Sequence, residues 1–266
     1  MNIVIDLTNT ISLWCNQEVI HMKMISKNKL HQLIFLPGIF PVNCYIVEEE
    51  SSLTLIDAGL PNSYKGIEQA IAQIGKPLGA IILTHIHDDH VGSLDTLHRF
   101  YPHVPVYVSE RDTRLMNGDL TLDAHEPQTK IKGSVPKKLQ TRPSTLLHEG
   151  DVVGSLQVIA TPGHTPGSIA LFDTRDRSLI AGDSFQTRGG VAVAGSVRLA
   201  FPFPALATWS KELSVQSAHR LLALKPSLLA VGHGHMIDQP YEAMHTAIQQ
   251  AEARLKKSSL AIKQSL

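Results

Sequence analysis

The stretch from Gly79 to Gly92, GAIILTHIHDDHVG, joins a short apolar run to three histidines and two aspartates. An apolar run of this length suits a strand that is buried in a sheet. Because the run ends where the titratable residues begin, the strand would deliver His85 to His90 to the edge of that sheet. The chain therefore needs a fold that covers the strand and leaves its polar end in one defined place.

Strands alternate with helices on both sides of this stretch. The elements predicted before it are strands at 30–37, 43–50 and 52–57 and a helix at 62–75. Beyond Thr145 β patterns dominate, followed by a helix, a strand and a terminal helix at 207–224, 227–233 and 241–257. Two successive runs of this kind without a linker predict one domain, residues 29–266, with sheets in the middle and helices outside. Residues 1–28 are predicted to be an N-terminal extension that is poorly ordered.

The composition argues against several classes of protein. Lysine plus arginine and aspartate plus glutamate are equal at 24 each, so no overall field favours nucleic acid or an anionic membrane. No signal peptide is evident, and no run approaches the roughly 18 apolar residues of a membrane span. Two cysteines, Cys15 and Cys44, are too few for a disulfide framework and indicate free thiols. We therefore expect a cytoplasmic protein with a small-molecule substrate and with neither nucleic acid nor membrane as a partner.

The pattern H-x-H-x-D-H at His85 to His90 indicates a metal site. His85 and His87 are two residues apart, so in an extended chain their side chains point the same way, as two ligands of one ion require. Asp89 and His90 point differently and would serve a second ion. The competing interpretation is an exposed polar loop. Such a loop gains nothing from bunched imidazoles, which would repel one another if protonated.

A site built from one loop would be under-coordinated, so further ligands must come from elsewhere in the chain. Three candidates follow apolar runs, as the first cluster does: His164 in ATPGHTPGS, Asp183 in LIAGDS and His233 in LLAVGHGH. Each would project from the edge of a sheet. Spacing alone does not choose between His233 and His235.

The motifs LTLIDAG, THIHDDHVG, ATPGHTPGS, IAGDS and AVGHG resemble those of the metallo-β-lactamase superfamily in order and spacing, from about Leu33 to His235. The resemblance implies an α/β fold, the αββα four-layer sandwich, with a two-metal site at one sheet edge. It also implies the metal ligands: His85, His87 and His164 for the first ion, Asp89, His90 and His233 for the second, and Asp183 as the bridge. Asp57 would be a buried carboxylate that fixes the histidine loop.

Two divalent ions at such a site would make hydroxide available near neutral pH. We expect zinc, with manganese or iron as alternatives. We therefore predict a metallo-hydrolase in which a metal-bound hydroxide cleaves a small ester, lactone, thioester or similar substrate, with Asp89 and Asp57 as candidate catalytic residues. The alternative is a mononuclear-iron, sulfur-oxidising oxidoreductase of the same fold. The number of metal ions per chain separates the two.

Substrate contacts are expected from loops beside the metals. The candidates are two groups of largely apolar side chains: Ile39, Phe40 and Tyr45, and Phe201 and Phe203. They favour a hydrophobic acyl group, but the same phenylalanines could be core residues. Arg198 could meet an anionic group or simply be solvated. The polar segment 111–143 is either a lid over the site or a surface excursion.

Overall fold

The computed structural model describes residues 4–5, 11–12 and 22–264. Within the predicted extension 1–28, two short strands pair with each other, β1 (Val4–Ile5) and β2 (Ile11–Ser12). Met22–Lys27, at the end of that extension, pairs along its whole length with Leu30–Phe35. These six residues therefore belong to the main sheet as its edge strand. Cys15 lies outside the described residues.

The sheet of the N-terminal half contains β3 (Met22–Lys27), β4 (Leu30–Phe35), β5 (Val42–Glu48), β6 (Leu53–Ile56), β7 (Leu78–Ile82), β8 (Val106–Ser109) and β9 (Thr145–Leu147). The strands are neighbours in chain order. They are antiparallel from β3 to β6 and parallel from β6 to β9. Because β6 and β7 are parallel neighbours, the residues that follow them, Asp57 and the histidine loop, meet at one edge.

Four helices connect the parallel strands of this half: α1 (Tyr64–Ile74), α2 (Asp88–Val91), α3 (Leu94–Phe100) and α4 (Glu110–Met116). α1 ends at Gly75, whose left-handed backbone lets its N–H bond to the Ile71 carbonyl. After Met116 the backbone is described throughout and forms no further helix or strand before β9. The irregular segment predicted at 111–143 is thus one helix followed by a long loop.

The C-terminal half contains β10 (Val152–Val153), β11 (Leu156–Ala160), β12 (Ile169–Asp173), β13 (Ser178–Ile180), β14 (Phe185–Gln186), β15 (Ala192–Val193), α5 (Phe203–Leu206), α6 (Lys211–Ala223), β16 (Leu228–Ala230), β17 (Ile237–Asp238) and α7 (Tyr241–Gln264). Six of these strands form a sheet in the order β10-β11-β12-β13-β16-β17, and β14 pairs only with β15. β13 and β16 are parallel. The loops that follow them therefore leave the sheet side by side.

Three apolar clusters define four layers. The middle cluster lies between the sheets and joins Tyr45 and Ile82 to Val158 and Leu171. A second cluster packs α1, α3 and α4 on the first sheet, and a third packs α6 and α7 on the second. The αββα sandwich implied by the sequence motifs is the observed fold. Within the described residues, no helix combines the length and the apolar character needed to cross a membrane.

Candidate metal centre

The predicted ligands converge at one end of the two sheets. Each lies just beyond a strand: His85 to His90 beyond β7, His164 beyond β11, Asp183 beyond β13 and His233 beyond β16. Their donor atoms form three overlapping groups, and within each group these atoms lie within 4.8 Å of one another. The groups are His85, His87 and His164; His85, His90 and Asp183; and Asp89, His90 and His233. Donor atoms this close can share ions, so the cluster fits a dinuclear metal site.

Hydrogen bonds on the outer side of the imidazoles turn their free nitrogens toward this centre. The Thr84 hydroxyl donates to Asp57 at 2.8 Å and so accepts from His85 Nδ1 at 3.1 Å. The Thr208 hydroxyl donates to a backbone carbonyl at 2.7 Å and accepts from His164 Nδ1 at 3.2 Å. His85 Nε2 is buried and has no hydrogen-bond partner within the described chain. An imidazole held in this way keeps its other nitrogen unprotonated for a metal.

His87 makes its outer hydrogen bond with Nε2 instead of Nδ1. Its Nε2 donates to the Lys132 carbonyl at 3.0 Å, which leaves Nδ1 facing His164 Nε2 at 2.9 Å. Two unprotonated nitrogens at this distance repel each other through their lone pairs unless a cation lies against both. Gly133 permits the arrangement, because a methyl group at residue 133 would overlap His87 Nε2.

The second set of donors is braced in the same manner. His90 Nδ1 donates to Asp57 Oδ2 at 2.8 Å, and His233 Nδ1 donates to the Pro41 carbonyl at 2.7 Å. His90 Nε2 is buried and lacks a hydrogen-bond partner in the described residues. His233 Nε2 lies 3.4 Å from Asp89 Oδ2. Both inner nitrogens are therefore free to bind an ion.

Asp183 lies between the two sets of donors. Its Oδ2 is 3.2 Å from His233 Nε2 and 3.3 Å from His164 Nε2, and its Oδ1 is 3.5 Å from His90 Nε2. Gly232 leaves room for this carboxylate, since a methyl group at residue 232 would overlap Oδ1. Asp183 thus lies between the two sets of donors, where the sequence motifs imply a ligand shared by both ions.

The electrostatics favour positive charge at this place. Burial lowers the pKa of His85 well below its usual value and keeps that ring neutral, the form that binds metal. Burial alone would raise the pKa of Asp183, but His233 and His90 outweigh it and hold the pKa well below its usual range. Burial likewise opposes a proton on His90, yet the carboxylates, Asp183 first, raise its pKa to about 10. A divalent cation would replace the protons that these carboxylates hold on the rings.

Asp57 acts on the site through its neighbours. Its carboxylate accepts from the Thr84 N–H at 2.7 Å, the Thr84 hydroxyl at 2.8 Å and His90 Nδ1 at 2.8 Å. Its φ of 63° is left-handed, a conformation that aspartate tolerates better than most residues. Asp57 therefore fixes both ends of the histidine loop.

Asp112 on α4 is a buried residue that the sequence analysis missed. It accepts from the Ile86 N–H at 3.2 Å, the Thr165 hydroxyl at 2.7 Å and the Gly167 N–H at 2.7 Å. Ile86 separates His85 from His87, and Thr165 follows His164 in the chain. Asp112 therefore ties the loop that carries the first two ligands to the loop that carries the third. Its setting in SERDT resembles any helix start, so no pattern distinguishes it.

Buried polar side chains of the first sheet hold the His233 loop. Gln32 Nε2 and Asn43 Nδ2 both donate to the carbonyl one residue after His233, at 2.7 and 2.8 Å. The Tyr45 hydroxyl donates to the carbonyl two residues before His233 at 2.8 Å and accepts from the N–H of that residue at 2.9 Å. The expectation that Tyr45 contacts substrate is wrong, because its side chain is buried between the sheets.

Comparison with known proteins agrees with this geometry. The sequence model of the metallo-beta-lactamase superfamily matches residues 37–233. The chain belongs to this superfamily. It is 57% identical over 231 residues to the uncharacterized protein YobT of Bacillus subtilis, covering 87% of this chain and 99% of that one. It is 33% identical to the probable metallo-hydrolase YflN of the same organism, covering 72% and 80% of the two chains.

Two solved structures are similar to this chain. The crystal structure of TTHA1623 in a di-iron-bound form is 28% identical to this chain and has a TM-score of 0.58. The matched region covers 77% of this chain and 94% of TTHA1623. A metallo-beta-lactamase from Pontibacter korlensis, 17% identical with a TM-score of 0.64, shares the fold.

In this superfamily member a cleft of about 940 Å³ opens over the metal centre. His87, Asp89, His164, Asp183 and His233 lie at its floor. One wall is entirely apolar and consists of Phe40, Phe203, Pro204, Leu206 and Ala207. The lining also includes residues 133–139, so part of the segment 111–143 lines the site.

The remaining candidates belong neither to the donor groups found in the described chain nor to the residues that line the cleft. His235 is exposed and belongs to none of the donor groups found in the described chain. Phe201 is buried against Phe40 and His233, so it is a core residue. Arg198 neither lines the cleft nor is simply solvated, since its guanidinium donates to the Val191 carbonyl and to Gln250.

Proposed function

We propose that the chain is a metal-dependent hydrolase that uses a dinuclear site to cleave a small ester, lactone, thioester or similar substrate. One observation carries the proposal: the histidines are fixed by outer hydrogen bonds, and their free nitrogens face a shared carboxylate, Asp183. Relatives named as probable metallo-hydrolases and a hydroxyacylglutathione hydrolase that is 29% identical over 151 residues support hydrolysis.

The residues divide the work. When bound, two divalent ions activate water and polarise the substrate oxygen under attack. His87 and His164 define one side of the centre, and His233 with Asp89 defines the other. The Asp89 side chain is 24% exposed, whereas that of Asp183 is 3% exposed. Asp89 is thus the carboxylate placed both to hold an ion and to accept a proton from water in the cleft.

For the metal we propose zinc, with iron as the main competitor. Imidazole and carboxylate donors suit either ion, and cellular availability decides between them. The di-iron form of TTHA1623 supports iron as the alternative metal for this chain. We further propose a cytoplasmic location, because two cysteines are too few for the disulfide framework of many secreted proteins. We also propose a small molecule as the substrate.

A matched pair of variants tests the proposal. We expect the purified protein to carry two metal ions per chain and to hydrolyse at least one of a set of ester, lactone, thioester and phosphodiester probes. His233→Ala should lose metal and lower kcat/KM more than the roughly 10- to 100-fold caused by losing a group behind a ligand. His235→Ala, two residues away and exposed, should leave both unchanged.

The opposite outcomes are equally definite. A single iron per chain together with oxygen uptake on a sulfur substrate would favour the oxidoreductase. Equal effects of the two histidine variants would contradict the assignment of His233 to the site.

A further inference from the structure

We infer that the scissile ester-like group carries an apolar chain of several carbons, which lies along the apolar wall formed by Phe40, Phe203, Pro204, Leu206 and Ala207. This inference rests on the proposed hydrolase function and names its substrate class. The wall is built directly beside the metal centre and leaves large apolar side chains open to the cleft.

The wall begins at the ligands themselves. The Phe40 ring lies 5.4 Å from the His233 ring, measured between centroids. The Thr208 hydroxyl accepts from His164 Nδ1 and donates to the carbonyl of Pro204 in the wall. The distance between the wall and the metal centre is therefore fixed from both sides. A group attached to the bond under attack has this surface as its immediate neighbour.

The wall also exposes two large apolar side chains. Phe203 is 50% exposed and Leu206 is 64% exposed, although Phe201 nearby is buried. Phe203 is held in place by Phe40, with ring centroids 5.1 Å apart. Preformed apolar surface of this kind is typical of ligand pockets, where it is covered by an apolar part of the ligand.

The lining of the cleft outside this wall is mixed in chemistry. It carries Asp88, Ser134, Lys137 and Lys138, and Asp88 accepts a hydrogen bond from Ser134. Val135, Pro136 and Leu139 of the same segment also line the cleft, so a carbon chain on the apolar wall has further apolar neighbours among these polar groups.

The test compares p-nitrophenyl hexanoate with p-nitrophenyl acetate. Each buried methylene contributes about fourfold in affinity, so four extra methylenes that are partly covered should raise kcat/KM by about tenfold or more. Leu206→Ser and Phe203→Ser should each reduce this hexanoate-to-acetate ratio by about fivefold. The matched control is Leu199→Ser, at a leucine that is 97% exposed and does not line the cleft. It should leave the ratio unchanged.

A second measurement keeps the inference separate from the proposed function. Isothermal calorimetry should find that hexanoate binds the metal-loaded protein about tenfold more tightly than acetate, whether or not either ester is hydrolysed. If the esters are cleaved with a ratio near one, the hydrolase stands and the inference fails. If hexanoate binds no better than acetate, or if Leu206→Ser changes only the oligomeric state in light scattering, the wall serves another purpose and the inference is overturned.

Discussion

The two halves of the molecule build their shares of the metal centre differently. The N-terminal half places its four donors in one loop, His85 to His90, and braces that loop with its own Asp57. The C-terminal half contributes one donor from each of three loops. The His233 loop depends on Gln32, Asn43 and Tyr45 of the other half. A site can thus be local in one half and depend on tertiary contacts in the other.

This difference determines which of the metal donors can be identified from the sequence. The cluster H-x-H-x-D-H can be identified as a metal site from the sequence because its spacing alone places donors together. His164, Asp183 and His233 lie far apart in the chain. The apolar runs before them made them candidates, and the resemblance to known motifs assigned each to an ion. Spacing alone did not separate His233 from His235. The resemblance favoured His233, and in the fold this ring faces the other donors whereas His235 is exposed.

Most of the longer strands and the long helices were predicted from apolar patterns, but the sheet order and the shorter features were not. β14, β15 and β17 have two residues each, too few for a pattern to show. Tyr45 was a substrate candidate because the segment around it was expected to form a loop beside the metals. β5 is buried on both faces, however, so alternation could not tell which of its side chains reaches solvent.

The sharpest test of the comparison is Gly232→Ala in the C-terminal half. A methyl group there would overlap Asp183 Oδ1 and crowd the His90 ring at 2.8 Å, so the bridging carboxylate must move. We expect loss of bound metal, a fall in kcat of roughly 100-fold or more and a loss of about 1–3 kcal/mol in the free energy of unfolding. Elemental analysis, kinetics and denaturation measure these.

The control is Gly38→Ala, where a methyl group has no atom within 4 Å. Gly38→Ala should retain its metal and its activity. If both variants keep their metal, Asp183 is not confined as the geometry requires.

The N-terminal half is tested by Asp57→Asn. The amide cannot accept from the Thr84 N–H, the Thr84 hydroxyl and His90 Nδ1 all at once, so the loop loses one brace. We expect metal affinity and kcat/KM to fall by roughly 10- to 100-fold, the usual effect of losing a group behind a ligand. Competition with a chelator measures the affinity. An unchanged affinity would show that the histidine loop holds its shape without Asp57.

Asp112, which links the two halves, is expected to have the smallest effect on activity, and its variant is tested through stability. Burial raises the pKa of Asp112 from 3.8 to about 6, so the folded protein keeps a proton there that the unfolded chain releases between these values. The free energy of unfolding should therefore decrease, by up to about 3 kcal/mol from this group, as the pH rises from about 4 to about 6. The contribution of Asp112 should be constant above that range.

Asp112→Asn removes this titration, so its unfolding free energy should lack that decrease. Denaturation curves of both proteins at several pH values give the comparison, in which the other titrating groups are shared. Parallel pH profiles would mean that Asp112 is ionised throughout and that its link between the loops is purely a set of charge-assisted hydrogen bonds.

The polar contacts behind His233 set a condition for protein engineers. Moving the seven donor side chains onto another scaffold would reproduce the chemistry in outline but leave the last histidine on an unsupported turn. Gln32, Asn43 and Tyr45 would have to be transplanted as well, although none of them belongs to a donor group. The smallest unit that could be transferred with His233 is therefore the neighbouring strands β4 and β5 together with the His233 loop that they support.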